Sequence, residues 1–514
     1  TENCQERRIY LMQTLCLNPD DSVAIAAGDL PAGQTVPGSS GPIWLAEGIP
    51  SGHKYARRAI APGETIIKYG QPIGRAVGPI AAGGHVHVHN VESLRGRGDL
   101  ERQPVEAMPE EARPTMSHVA PLAGAPTVPT TFSGYRRRDG RVGIRNHVLV
   151  MATVQCANAV VERVGREMPQ VVTVTHEHGC SQLGEDLAQT RRVLEGFASH
   201  PNVGGVLLVG LGCESMPGAE MEASLISAGV RCRRLSIQDE GGSRATLLRA
   251  KAIAGELLVE AAQDKREPAP LSELMVAVEC GGSDGWSGIT ANPAVGFAGD
   301  LVVQSGGTVV LSEVTEFIGA EHLLAARAVT PAVARRIVDA TRKREVAAKR
   351  LGVDMRGGQP SPGNMAGGLT TIEEKSLGAI AKGGSTPICE LVGYGRRPSA
   401  RGLVVMDTPG SDPESVTGMV AGGAQIVVFT TGRGSPVGCP IAPVIKVCSN
   451  SATYRRLAED MDFDAGTIVE AGESVAEVGQ RIFQEILAVV EGHQTAAEVW
   501  GHREFAVETI GPRL

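Results

Sequence analysis

Four apolar, strand-like runs in this chain each lead to a cysteine. Val148-Leu149-Val150-Met151 runs to Cys156, Val171-Val172-Thr173-Val174 to Cys180, Val206-Leu207-Leu208-Val209 to Cys213, and Met275-Val276-Ala277-Val278 to Cys280. Helical apolar spacing follows several of these runs: Ala157 to Met168, Leu187 to Ala198, Ala223 to Ala228 and Ser243 to Ala262. Strand, helix, strand in repetition predicts an α/β body whose mostly parallel sheets are covered on both faces. The carboxyl ends of such strands form the rim where ligands bind. Thiols recurring at that rim therefore point to chemistry.

A chain of 514 residues exceeds one ordinary core and predicts several domains. Up to residue 92, short alternating runs with turn signals, such as Ser22 to Ala26 and Ile66 to Gly70, read as a small β-rich module. Residues 93–131 lose periodicity and gather Pro104, Pro109, Pro114, Pro121, Pro126 and Pro129, a proline-extended linker. A first α/β domain is expected over 132–268. A second follows over 269–514, divided from the first where Pro268 and Pro270 interrupt the helical pattern.

Net charge of -8 argues against nucleic acid or an anionic membrane surface as partner. No run of eighteen apolar residues and no secretory signal is present, so a cytoplasmic protein is expected. Ten cysteines without compact spacing read as reduced thiols and not as a disulfide framework.

His85, His87 and His89 alternate, so on a strand all three imidazoles project from one face. Clustered imidazoles suit a metal or proton-transfer site, against the alternative of an exposed polar face. His53 lies upstream and is a candidate to join them. The segment Tyr135 to His147 is dense in arginine, which suits a carboxylate substrate or, equally, a solvated basic loop. His176 to Asp186, Gly210 to Glu214 and Glu279 to Gly285 gather imidazole, thiol and carboxylate groups at strand ends. If these turns converge, thiolates hold iron with one position open; separate structural roles for the thiols are the alternative. Ser287 to Pro293 offers hydroxyl and amide groups to a polyhydroxylated ligand, or helix caps. The Walker spacing is absent, and no Gly-x-Gly-x-x-Gly follows a strand, which disfavours phosphoryl and hydride transfer.

Taken together, Gly52-His53-Lys54, Lys68 to Gly74, Val86 to Asn90, Asp139 to Asn146, Gly212-Cys213-Glu214, Glu279 to Asp284, Gly288 to Pro293, Ser361 to Asn364 and Gly432 to Ser435 resemble the altronate and galactarate dehydratases. That family often carries an amino-terminal SAF domain, and Gly179 to Gly184 looks more like its altronate type. The resemblance implies loss of water from a 2,3-dihydroxy sugar acid to give a 2-keto-3-deoxy acid. It also implies a divalent metal, Fe2+ first, with Mn2+ or an iron-sulfur cluster as alternatives. On this reading Cys156, Cys180, Cys213 and Cys280 hold the metal, and His53, His87 and His89 act as acid and base. Arg141 and Arg145 would take the carboxylate, with Ser283, Asp284, Thr290 and Asn292 on the hydroxyls. The reverse arrangement places the histidines on the metal and a body residue as base. The related sulfolactate sulfo-lyases give a carbon-sulfur lyase as the second reading, and a sugar-acid-binding protein without turnover is the third. The expected assembly is a homo-oligomer.

Overall fold

The computed structural model describes residues 13–95 and 130–511. Most of the stretch read as a linker, 96–129, lies outside the described residues.

The small module is strand-rich. Val23–Ala26 pairs antiparallel with Lys54–Ala56, which pairs antiparallel with His85–Val86. A second sheet joins Thr65–Lys68, Gln71–Ala76 and Val91–Glu92. The strand expected through His89 stops at Val86. Asn90 ends it: its side chain accepts from His87 N at 2.9 Å and donates to His85 O at 2.8 Å, closing a turn.

The body holds two parallel sheets. The first runs, edge to edge, Val172–Val174, His147–Ala152, Val203–Gly210, Cys232–Ser236. The second has seven strands in the order Ile388–Val392, Gly402–Met406, Thr308–Leu311, Met275–Cys280, Ile426–Thr431, Val444–Cys448, Phe463–Asp464. Their central strands are buried along nearly their whole length, which is why they read as unbroken apolar runs. Helices Ala291–Gln304 and Val475–Val490 pack on each other beside the second sheet, with Ile482, Phe483, Ile486, Val489 and Val490 buried in its core. Helix Asp412–Ala421 packs against helix Gly184–Ala198 of the first sheet, with Gly196 against Ala421.

The helix ends at Ala261, well before Pro268, so the two prolines do not interrupt it. They fall in strand Arg266–Pro270, which pairs back with Thr131–Arg136. This strand lies at a sheet edge, where a missing N–H is tolerated.

Candidate active site

In the seven-stranded sheet, the chain leaves Met275–Cys280 toward Thr308–Leu311 on one side, and later returns to its other side as Ile426–Thr431. The strand order reverses between these neighbours, and in open sheets ligands bind at the carboxyl ends of strands at such a point. Over it lies the turn Gly281 to Asp284, whose Gly282 O accepts from Gly432 N at 3.1 Å and from Arg433 N at 2.8 Å. A Cβ on Gly281 would collide with Asp412 Oδ2, so only glycine lets that carboxylate reach the turn.

Asp284 organises this turn. Its Oδ1 accepts from Ser287 Oγ at 2.9 Å and Ser449 Oγ at 2.8 Å, and its Oδ2 from Asn450 Nδ2 at 2.9 Å. Burial pushes the carboxyl up, with the Ser449 and Ser287 donors pulling against it. Thr290 donates to Ser449 O, and Asn292 donates to Gly378 O and accepts from Thr430. Asp284, Thr290 and Asn292 thus shape the site from beneath, spent on protein partners and not on a ligand's hydroxyls. Ser283 differs: its Oγ is buried without a partner, and Asn364 Nδ2 holds its carbonyl at 2.8 Å.

The small module closes over this rim. Gly52 packs on the Trp286 indole, and the backbone of Gly52 touches Gly285 and Gly368. Lys54 pairs with Val86 and Tyr55 with His85. Continued by one residue, that register sets His87 opposite His53. Their ring centroids lie 4.8 Å apart, and His85 stands 5.2 Å from each. One ring nitrogen from each of His53, His85 and His87 falls within 4.8 Å of the other two. His53 Nδ1 meets His85 Nε2 at 3.1 Å, and His87 Nδ1 is buried without a partner. Burial lowers all three imidazoles, His85 to about 4 and His87 to about 3 with Lys54 adding to the shift. They are neutral near pH 7, as metal ligation requires. His89, expected in this group, is exposed beyond the turn with its ring 5.6 Å from His85. His85 takes its place.

Lys54 and Lys68 anchor the module on one carboxylate. Lys54 Nζ lies 2.9 Å from Glu374 Oε2 and Lys68 Nζ 2.7 Å from Oε1, all three side chains fully buried. Lys54 also donates to Gly368 O at 2.7 Å. Burial pulls Lys54 down to about 8 despite Glu374. For Lys68 burial opposes the charge, but Glu374 outweighs it and holds the ammonium above its ordinary value.

Cys280 is the last residue of its strand and points into the core. Its thiol donates to Glu316 Oε2 at 2.8 Å, and Lys382 Nζ lies 3.0 Å from its sulfur, 3.1 Å from Glu313 and 3.0 Å from Glu316. Burial and the Glu316 charge push this thiol far up. The Cys280 sulfur, Glu313 and Glu316 each offer a ligand atom within 4.8 Å of the other two, and the Lys382 ammonium lies among them. Beside it, burial and Glu316 raise Glu313 to about 7 and Asp412 to about 6. Glu313 also holds a left-handed backbone at φ 63°, a conformation that costs roughly 1–3 kcal/mol and clusters at functional sites.

Cys156, Cys180 and Cys213 are exposed at the carboxyl edge of the other, four-stranded sheet. The four thiols expected to share one metal are therefore divided between two sheets. Arg141 and Arg145 have partners within the protein. Arg141 binds Asp139 and Ser199 O, while Arg145 grips Glu498 through two nitrogens and caps Val489 O and His493 O. Both are occupied in holding the chain together. Arg433 is exposed beside the turn Gly281 to Asp284, with no ion pair among the described residues.

Three family profiles cover the chain: the altronate/galactarate dehydratase SAF domain over 12–94, the D-galactarate dehydratase/altronate hydrolase second domain over 134–262, and the D-galactarate/altronate dehydratase C-terminal domain over 271–513. The chain belongs to the altronate/galactarate dehydratase family. It is 34% identical over 508 residues to altronate dehydratase of Bacillus subtilis strain 168, covering 97% of this chain and 99% of that one. It is 37% identical over 520 residues to galactarate dehydratase (L-threo-forming) of Escherichia coli K12, covering 96% of each. The beta subunit of (2R)-sulfolactate sulfo-lyase from Chromohalobacter salexigens is 36% identical over 388 residues, 74% of this chain and 97% of the subunit. Family membership makes the protein an enzyme of the hydro-lyase class. No helix among the described residues is long and apolar enough to cross a membrane.

The sequence placed Lys54, Lys68 and Arg433 in motifs without giving them a role, and gave none to Glu313, Glu316, Glu374, Lys382 or Asp412. One signal was available: Glu313, Asp412 and Arg433 follow apolar strand runs just as the cysteines do.

Proposed function

We propose that the chain dehydrates a 2,3-dihydroxy sugar acid of the altronate or galactarate kind to a 2-keto-3-deoxy acid. The observation that carries this reading is the convergence of three imidazoles on a module whose Gly52 packs on Gly285 and Trp286, beside the turn Gly281 to Asp284 that the Arg433 backbone also joins. His53, His85 and His87 fit a divalent ion: their ring nitrogens converge, and the orphaned Nδ1 of His87 is otherwise uncompensated. Bound there, a ferrous ion, or manganese in its place, supplies Lewis acidity toward carboxylate and hydroxyl oxygens.

The protein's own groups do the rest. Arg433 is the guanidinium free to pair with the substrate carboxylate through two hydrogen bonds. Ser283 Oγ offers an unspent hydroxyl to a substrate oxygen. Asp412, raised to about 6, is ionised at neutral pH yet basic enough for its Oδ2 to hold the proton taken from the carbon beside the carboxylate. His89, exposed beside His85, gives a proton to the departing hydroxyl. Once hydroxide has left, Trp286 and the docked module cover the resulting enol, which tautomerises to the keto acid.

Likeness over three quarters of the chain to a sulfo-lyase subunit favours carbon-sulfur cleavage as the second reading. Anaerobic assay of the ferrous protein with altronate, galactarate and sulfolactate separates the two. Keto-acid formation from a sugar acid supports the dehydratase, and Asp412→Asn should then lower kcat about 100-fold, within the range of a lost general base. Sulfite release from sulfolactate alone transfers the assignment to the second reading. Absence of product from all three overturns both.

A further inference from the structure

The four-stranded sheet has its own reversal of strand order, between His147–Ala152 and Val203–Gly210, and three thiols surround it. Cys156 lies in the turn after the first of these strands, Cys213 after the second, and Cys180 after the flanking strand Val172–Val174. All three are exposed. Unpaired cysteine is among the most buried of residue types, and Cys232, Cys280, Cys439 and Cys448 follow that rule here. Three exceptions on one edge ask for a reason.

The loops that carry them are tied together. Gln155 N donates to His178 O at 2.9 Å, and Ser215 N donates to Gly179 O at 3.0 Å. Glu214 accepts from Thr153 Oγ1 at 3.0 Å and from Gly212 N at 2.6 Å, joining the loops of the two central strands. Gly179 (φ 100°) and Gly212 (φ 122°) hold backbone that other residues rarely adopt, and a Cβ on Gly179 would lie 2.8 Å from Val154 Cα. Each cysteine therefore sits within two residues of a crossing between loops. His176 and His178 of the same turn are buried, one bonded to Ala152 O and the other to Gln182, whereas the three thiols are exposed. Gln238 Nε2 points at Cys213 Sγ from 3.6 Å.

The spacing discriminates between occupants. A single ion with bonds of about 2.3 Å draws its thiolates to within roughly 4 Å of one another. The three sulfurs do not all fall within 4.8 Å of one another. A polynuclear cluster, whose irons each take one thiolate, does not require the three sulfurs to meet at one point.

We propose that Cys156, Cys180 and Cys213 hold a four-iron iron-sulfur cluster, with the fourth iron free of protein thiolate. On ligation each thiol loses its proton to water and its sulfur bonds one iron. The position left open takes an oxygen donor: water, hydroxyl or carboxylate. The Gln238 amide stands as an N–H donor to a ligand sulfur, a contact that tunes cluster potential. The site is separate from the histidine cluster, and its presence does not depend on the reaction proposed above.

The test uses the full chain, purified anaerobically and reconstituted with ferric iron, thiol reductant and sulfide. Expected are about four irons and four acid-labile sulfides per chain with broad visible absorption. Cys156→Ala, Cys180→Ala and Cys213→Ala should each abolish that absorption, while Cys16→Ala and His85→Ala keep it. Because the thiols are exposed, the three variants should retain the apo protein's thermal midpoint. Should any of them fail to fold, alkylation of the wild type decides. In the reconstituted protein the three thiols should react with iodoacetamide at least about tenfold more slowly than in the apo protein, while Cys16 reacts unchanged. Iron bound without sulfide, absorption that survives all three replacements, or unprotected thiols would each overturn the proposal.

Discussion

Replacing Glu374 with alanine strands two buried ammonium groups at once. Lys54 keeps one acceptor, Gly368 O at 2.7 Å, and Lys68 keeps its position 4.8 Å from the Tyr69 ring centroid. Removing one member of a buried ion pair costs about 3–5 kcal/mol. Here one carboxylate serves two cations, so the upper end applies, limited by the free energy of docking, because a module that lifts off rehydrates both lysines. A loss of about 4 kcal/mol shifts the docked-to-undocked ratio roughly a thousandfold. Calorimetry should show the single transition of the wild type split, with the module's part moved to lower temperature. After cleavage between residues 95 and 130, the small module should elute separately in the variant and together with the body in the wild type.

The pH dependence has a definite sign. Lys54 is held down to about 8 in the folded protein against 10.5 for the ordinary group. Between those values the unfolded chain carries a proton the folded one lacks, so this group's contribution raises stability as pH climbs from 8 to 10.5. Glu374 is depressed, so its contribution is complete above the ordinary carboxylate range and is lost only as pH falls through its folded value. An E374A protein that melts within about 1 kcal/mol of wild type and keeps its module would refute the reasoning. Replacing all three charges by apolar residues should recover most of the loss, since well-packed apolar substitutes for buried ions are often neutral or better.

Arg433→Gln should lower kcat/KM by roughly 10- to 100-fold, the loss of one charge-assisted contact of about 1.5–3 kcal/mol, mainly through KM. Arg145→Gln should instead lower the melting temperature and leave KM near wild type, because Arg145 holds Glu498 and the end of helix Val475–Val490. His85→Ala should abolish binding of ferrous iron in an equilibrium dialysis measurement, whereas His89→Ala should bind it normally and slow turnover. Lys382→Met should destabilise the protein by about 3–5 kcal/mol in urea unfolding, having left Glu316 and Glu313 without their shared cation.

The body's strands were legible because burial on both faces makes each a continuous apolar run. The strand Met275–Cys280 shows the limit of that reading. Cys280 belongs to the strand and faces the core, whereas Cys156, Cys180 and Cys213 lie beyond strands that end at Ala152, Val174 and Gly210. An apolar run followed by cysteine looks alike in both cases, so one buried thiol was grouped with three exposed ones. The lysines were missed for a different reason. Lys54 and Lys68 look like surface residues, and their partner Glu374 lies more than 300 positions away, where periodicity carries no information. The same distance hid the engagement of Arg145 by Glu498. His85 entered the cluster because Asn90 folds the chain before His89 can join the face.

His53 and Lys54 are consecutive, and both meet the body, His53 at Ala366 O and Lys54 at Glu374 and Gly368 O. Delivery of the imidazoles and capture of the ammonium by Glu374 are consequently a single event, so on the proposed mechanism a lifted module takes the metal site with it.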